Sequence, residues 1–135
     1  MKIKLDPQGI MPTRAYPDDA GLDLYSPIDC WVYSGGLRII DLGVHLEIPT
    51  GYVGMLTSKS GLMQLGITTR GTIDASYRGS IKAVVYNDGK ESYKVERGQK
   101  VTQLVIVPCI TPEIEVVEEL EETDRGDNGF GSTGL

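Results

Sequence analysis

Apolar residues along the chain come in short runs of strand length, and over no useful length do they recur at the i, i+3, i+4 spacing of a helix. Val44, Leu46 and Ile48 alternate with His45 and Glu47, which gives a strand one apolar and one polar face. On that polar face His45 takes no special role. Similar runs occur in CWVY, LRIIDL, YVGML, IKAVVYN, KVTQLVIV and EIEVVEEL. The stretches IPTGY, NDGKE and ERGQK place Pro, Gly, Asn and Asp where hairpins turn. One helical turn is expected at SGLMQLG. Many short strands with almost no helix predict an all-β sandwich, jelly roll or barrel. EIEVVEEL reads as an edge strand, whose glutamates discourage unwanted pairing and face solvent.

Composition narrows the class. At 135 residues the chain has the length of one domain, and 40% hydrophobic with 24% charged residues is ordinary for a globular protein. A net charge of -6 argues against a general nucleic-acid binder. It leaves room for a small anionic ligand, because a few convergent cations, backbone N–H groups or a divalent metal neutralise phosphates locally. No apolar run is long enough to span a bilayer, and no targeting signal follows Met1, so no membrane partner and a cytoplasmic location are expected. Cys30 and Cys109 sit in strand-like surroundings without metal spacing and read as reduced core residues.

Several polar segments interrupt the strands. In AGLDLYS, Asp23 lies between Leu22 and Leu24, so its carboxylate points opposite to two apolar side chains. SKSGL offers Lys59, the Ser60 hydroxyl and Gly61, whose backbone an oxyanion can approach closely. In RGTIDASYRGSIKAVVYN, Gly71 and Gly79 bracket Asp74, Tyr77 and Arg78, as in a hairpin projecting polar groups from a sheet. A turn stabilised by Asp74 would explain the aspartate but not its two neighbours. Gln103 stands within an apolar strand and needs either core partners or a polar cavity. The tail GDNGFGST has the glycine spacing of a P-loop, but Ser132 replaces the lysine and no helix follows, which excludes a Walker A site.

Taken in order, AGLDLYS, SKSGL, GTIDASYRG, RGQKVTQLVI and RGDNGFGSTG resemble the five motifs of the homotrimeric dUTPase family, and they run from Ala20 to Gly134. That resemblance implies a distorted jelly roll (β-clip, dUTPase-like) over residues 1–124 and a flexible glycine-rich arm over 125–135 that closes over an active site. It implies a homotrimer with shared sites: the first, second and fourth motifs from one subunit, the third from a neighbour and the fifth from the remaining one. The implied reaction is Mg²⁺-assisted hydrolysis of dUTP to dUMP and pyrophosphate by water attack at the α-phosphorus, which keeps uracil out of DNA and supplies dUMP.

Carried over residue by residue, the resemblance gives Asp74 the attacking water and the sugar 3'-hydroxyl, and Gln103 the same water and the α-phosphate. Tyr77 would lie against the deoxyribose. Backbone groups around Gly71, Thr72, Ile73 and Lys82 would read uracil. Lys59, Ser60 and Gly61 would bind phosphate oxygens, and Asp23 would stabilise the metal through its water shell, as suits a reluctantly dehydrated Mg²⁺. From the arm, Arg125 would clasp the γ-phosphate and Phe130 stack on uracil, while Gly131, Ser132 and Thr133 add phosphate contacts.

The chain departs from the family pattern at Lys59, usually an arginine with its planar fork, at Ser76 and Ser80, and at Asn128, often a glycine. Two other functions are weighed against dUTP cleavage. A dCTP deaminase shares the fold, but the Gly-Phe-Gly tail and the GTIDASY hairpin favour the dUTPase reading. A regulatory protein-binding role, as in phage relatives that often carry an inserted segment, has little room in 135 residues.

Overall fold

The structure is a computed structural model and describes residues 1–129. In chain order its strands are β1 (Lys2–Leu5), β2 (Gly21–Tyr25), β3 (Cys30–Val32), β4 (Leu37–Asp41), β5 (Val44–Glu47) and β6 (Tyr52–Thr57). A single helical turn, α1 (Ser60–Met63), separates them from β7 (Ile67–Ile73), β8 (Lys82–Asn87), β9 (Tyr93–Val95) and β10 (Lys100–Pro108). All pairings between these strands are antiparallel. A six-stranded sheet runs in the order β2-β10-β6-β7-β8-β4, with two-stranded ladders β1-β5 and β3-β9 beside it. The chain is all-β, as the short alternating runs predict.

Alternation decides what each strand buries. Leu24, Leu104, Leu56, Ile67, Val85 and Ile40 come from the six strands of the sheet, and their inward side chains build one core with Val44, Ile81, Val95 and Val101. The buried side chains of Asn87, Thr69 and Thr102 are paired, as burial requires, whereas the Thr57 hydroxyl has no partner among the described residues. The Asn87 amide donates to the Val32 and Glu91 carbonyls at 2.8 and 2.9 Å and accepts from the Gly89 N–H at 2.9 Å. Thr69 donates its hydroxyl to that of Thr102 at 2.8 Å, which in turn donates to the Thr57 carbonyl at 3.0 Å. The opposite face of the sheet leaves Leu37, Ile39, Met55 and Val107 exposed.

Two expectations fail. Cys30 is buried, but Cys109 is exposed just beyond the end of β10. The segment EIEVVEEL, expected as an edge strand, forms none: Ile114 and Val116 are each 94% exposed. Its alternation is that of a strand, but among the described residues no strand pairs with it to take up its backbone groups.

Candidate active site

Three of the predicted polar residues, Asp23, Lys59 and Gln103, meet at the sheet. Gln103 of β10 lies directly between Asp23 of β2 and Thr57 of β6 in the ladder register. Just past Thr57 the chain leaves the sheet at Ser58, whose hydroxyl donates to the Thr69 carbonyl at 2.9 Å and accepts the Thr69 N–H at 2.8 Å. That tie fixes the take-off of Lys59, Ser60 and Gly61, and the Lys59 carbonyl accepts the N–H groups of Leu62 and Met63 at 3.0 Å each to start α1. A β-carbon built on Gly61 would meet nothing within 4 Å, so its backbone is open to a ligand.

Asp23, Lys59 and Gln103 line a polar cavity of about 380 Å³ together with Asp19 and Lys100; Ser60 and Gly61 follow Lys59 in the chain but do not line it. Asp23 is buried and accepts from Lys59 Nζ at 2.6 Å on one oxygen and from Lys100 Nζ at 2.8 Å on the other. Burial alone would push its carboxyl up, but the hydrogen bonds and charges of Lys100 and Lys59 more than offset this and hold it below the usual carboxylate range. The Lys100 ammonium is correspondingly raised by its bond to Asp23. Gln103 donates to the Ser58 carbonyl at 3.3 Å and accepts from Lys59 Nζ at 3.5 Å, which answers the need for partners its place in an apolar strand raises.

The hairpin between β7 and β8 carries the second group. Their ladder pairs Ile67 with Asn87, Thr68 with Tyr86 and Thr69 with Val85, and there it stops. Beyond that point β7 continues to Ile73 against β6, while the start of β8 pairs with β4. The two arms therefore splay, and between them the main-chain edges of Gly71, Thr72, Ile73 and Lys82 face each other without a shared ladder. At the tip the Asp74 carbonyl accepts the Tyr77 N–H at 3.0 Å. The turn is built from the backbone of Asp74, and its side chain is exposed. Tyr77 donates its hydroxyl to the Ser80 carbonyl at 3.0 Å, and Arg78 Nη1 returns to the Ala75 and Tyr77 carbonyls at 2.6 and 3.0 Å. Ser80, one of the positions where the chain departs from the family pattern, donates its hydroxyl to Asp41.

One chain does not unite the two groups. Thr57 faces Gln103, whereas Gly54 faces Ile73, the residue before Asp74. Three strand residues separate these pairs, or about 10 Å along β6. Asp74 lines a different cavity, of about 470 Å³, with Ser76, Arg78 and the exposed Cys109. Arg125 sits at an exposed turn, its Nε donating to the Asn128 carbonyl at 3.1 Å. Phe130, Gly131, Ser132 and Thr133 lie outside the described residues.

Three contributors escaped the strand pattern. Lys100 reaches Asp23 because an irregularity in the β2-β10 register between Lys100 and Thr102 re-aims it. Gly21 lies against Gln103: a β-carbon there would come within 3.0 Å of its Cδ. His45 bonds the Arg78 carbonyl and Asp6, and so touches the hairpin. Among the described residues no three His, Cys, Asp or Glu side chains stand close enough to hold a metal ion, and no helix is long and apolar enough to cross a membrane.

A protein-family model described as dUTPase matches residues 8–134. The deoxyuridine 5'-triphosphate nucleotidohydrolase of Clostridium acetobutylicum is 41% identical over 100% of this chain and 97% of its own. Among solved structures, the dUTPase of Staphylococcus bacteriophage 80alpha, a Gly-to-Ser mutant with dUpNHpp, matches with a TM-score of 0.91 at 33% identity, covering 99% of this chain and 98% of that one. An Asp-to-Asn mutant dUTPase from phage phi11 of S. aureus, in which a structural Mg(II) ion is coordinated, matches with a TM-score of 0.81 at 30% identity over 90% of this chain and 98% of that one.

Proposed function

The chain belongs to the dUTPase family and hydrolyses dUTP to dUMP and pyrophosphate, and from that premise we propose how its residues divide the work and why a single copy is not enough. The observation that carries the proposal is the ladder register, in which Ile73, the residue before Asp74, pairs three positions along β6 from the partner of Gln103. A water attacking the α-phosphorus needs both at once. A second copy supplies the missing half, and a closed threefold assembly satisfies every site with the same interface. The exposed Leu37, Ile39, Met55 and Val107 give the sheet an apolar face to bury in that contact. The segment after Pro112, strand-like in pattern but paired with no strand among the described residues, suits a neighbour's surface.

In this assembly the triphosphate lies in the polar cavity, where Lys59 and Lys100 supply charge, and reaches the backbone and hydroxyl donors of Ser60 and Gly61 next to Lys59 in the chain. Gln103 holds the α-phosphate and the attacking water, whose proton Asp74 of a neighbouring subunit accepts. Its geometry is worth more than its basicity, since positioning and charge neutralisation dominate such transfers. Tyr77 lies against the deoxyribose. The splayed arms of the hairpin read uracil through main-chain groups of Gly71, Thr72, Ile73 and Lys82, and a base with the wrong edge leaves buried polar groups unpaired. Residues 125–135 close over the nucleotide, with Arg125 on the γ-phosphate, Phe130 on the base, and Gly131, Ser132 and Thr133 on phosphate oxygens.

The donor set fits Mg²⁺ in one form. Both oxygens of Asp23 already accept from lysines, and no protein cage exists among the described residues, so the ion would be held by phosphate oxygens and its own waters with Asp23 behind them. When bound it supplies charge neutralisation to the phosphates.

A pyrophosphate-release screen over dUTP, dTTP, dCTP and UTP tests the site reading, with strong turnover of dUTP alone as the expected result. Comparable rates with UTP would remove Tyr77 from its place at the sugar, and comparable rates with dTTP would remove the hairpin slot as the base reader. Gly21→Ala provides a check within one subunit. The added methyl pushes the Gln103 amide aside, so kcat/KM should fall about 10- to 100-fold while the thermal melt stays close to wild type. An unchanged kcat/KM would mean that the position of the Gln103 amide is not critical.

A further inference from the structure

His45 lies on β5 opposite Lys4 of β1, and its ring is held at both nitrogens. Nδ1 is 2.8 Å from the carbonyl oxygen of Arg78, and Nε2 is 3.1 Å from Oδ1 of Asp6. A peptide carbonyl only accepts hydrogen bonds, and a carboxylate likewise. Both contacts are therefore bonds at the same time only when both ring nitrogens carry hydrogen, that is, in the imidazolium form. A neutral ring must present a bare nitrogen to one of two acceptor oxygens.

What the ring holds is the site hairpin. Arg78 follows Tyr77, and its guanidinium turns back onto the Ala75 and Tyr77 carbonyls, while the Tyr77 hydroxyl returns to Ser80. The turn thus closes largely on itself. Its side-chain ties to the rest of the fold are the His45 ring at Arg78 and the Ser80 hydroxyl on Asp41. We propose that His45 is a positioning residue for dUTP hydrolysis: as an imidazolium it clamps the Arg78 carbonyl between the hairpin and Asp6, sets the Asp74–Tyr77 face for substrate, and releases that face when it loses its proton. This rests on the reading that Asp74 and Tyr77 meet the nucleotide.

The charged groups around the ring come from four elements. Lys4 on β1 opposes the cation, and Asp6, just beyond β1, favours it. Asp41 at the end of β4 faces it and is held by Ser80. On the hairpin the Arg78 guanidinium is turned back onto its own turn. On β5 itself Glu47 is taken by Lys2 at 3.0 Å. The Arg78 carbonyl first, and the Asp6 hydrogen bond second, outweigh the opposing effects and hold His45 above the ordinary imidazole range. For a raised imidazole the clamp is complete below the unfolded-state pKa of about 6.5 and is lost as pH rises through the folded value.

The test compares kcat/KM for dUTP in wild type and His45→Phe from about pH 6 to about pH 9, a span set by the imidazole range. Titration of the substrate phosphates is common to both and cancels in the ratio. Wild type should lead by about three- to tenfold at the acid end, the worth of one net hydrogen bond, and the ratio should fall toward one at the alkaline end. Asp6→Asn, which keeps the ring, should move that fall to lower pH, together with the midpoint of the His45 ring signals in an NMR titration. A ratio independent of pH, or a ring midpoint indifferent to Asp6→Asn, overturns the clamp. The NMR arm needs no catalysis and still reports on the clamp if His45→Phe fails to fold. Failure of the wider site reading would show separately, as normal turnover by Asp74→Asn.

Discussion

Asp74→Asn is expected to lower kcat for dUTP by about 10²–10⁴-fold, the usual worth of a positioned general base, while leaving affinity for a non-hydrolysable dUTP analogue nearly unchanged. The substitution is isosteric. It replaces an acceptor oxygen by an N–H₂ group, which cannot take a proton from water and points a donor where an acceptor is needed. The fold should not notice, because the turn from Asp74 to Tyr77 is closed by the Asp74 carbonyl and the carboxylate is exposed. Single-turnover pyrophosphate release and equilibrium titration of the analogue separate the two effects. Near wild-type turnover would move the base elsewhere. Loss of both binding and turnover would give Asp74 a role in holding the sugar that outweighs its role with water.

Mixing two inactive variants should restore activity. Gln103→Leu keeps an apolar strand residue at the centre of the β2-β10-β6 ladders and removes the amide. On its own it should cost about 10²–10³-fold, as the loss of a donor at developing charge does. If Asp74 and Gln103 come from different subunits of one site, as proposed, random assembly of Asp74→Asn with Gln103→Leu leaves about one site in four with both residues intact, and about one in three within trimers that carry both variants. Co-expression with two affinity tags, followed by tandem purification and assay, measures this directly. Recovery of about a third of wild-type activity in the doubly tagged trimers supports shared sites, and activity no higher than either parent means that each chain builds its own site.

Much of the fold was legible because burial writes itself along a strand with period two. Val44, Leu46 and Ile48 alternate with polar residues and fall on the core side as expected. Gln103 stood out because a polar residue inside an apolar strand must have partners, and it has them in Ser58 and Lys59. What the pattern could not show is anything that depends on register. Asp23 was legible as an outward side chain, but not as the buried partner of two lysines, since Lys100 comes from another strand displaced by an irregular pairing. His45 looked like one more solvent-facing residue, and only the packing of the hairpin against β5 gives it two acceptors. EIEVVEEL misled for the opposite reason: alternation reports what a segment can pair with, not whether the partner lies in the same chain.

The early end of the β7-β8 ladder bears on how the enzyme's substrate range can evolve. A pocket lined by side chains can be retuned codon by codon. A slot whose edges are peptide groups offers point mutation little to edit, because every amino acid except proline carries the same N–H and C=O. A lineage that came to accept a different base would need a residue gained or lost in the hairpin, which shifts the strand register and displaces Asp74 and Tyr77 with it. If the hairpin reads the base as proposed, base choice and catalysis are inherited together, and drift in one is purged through the other.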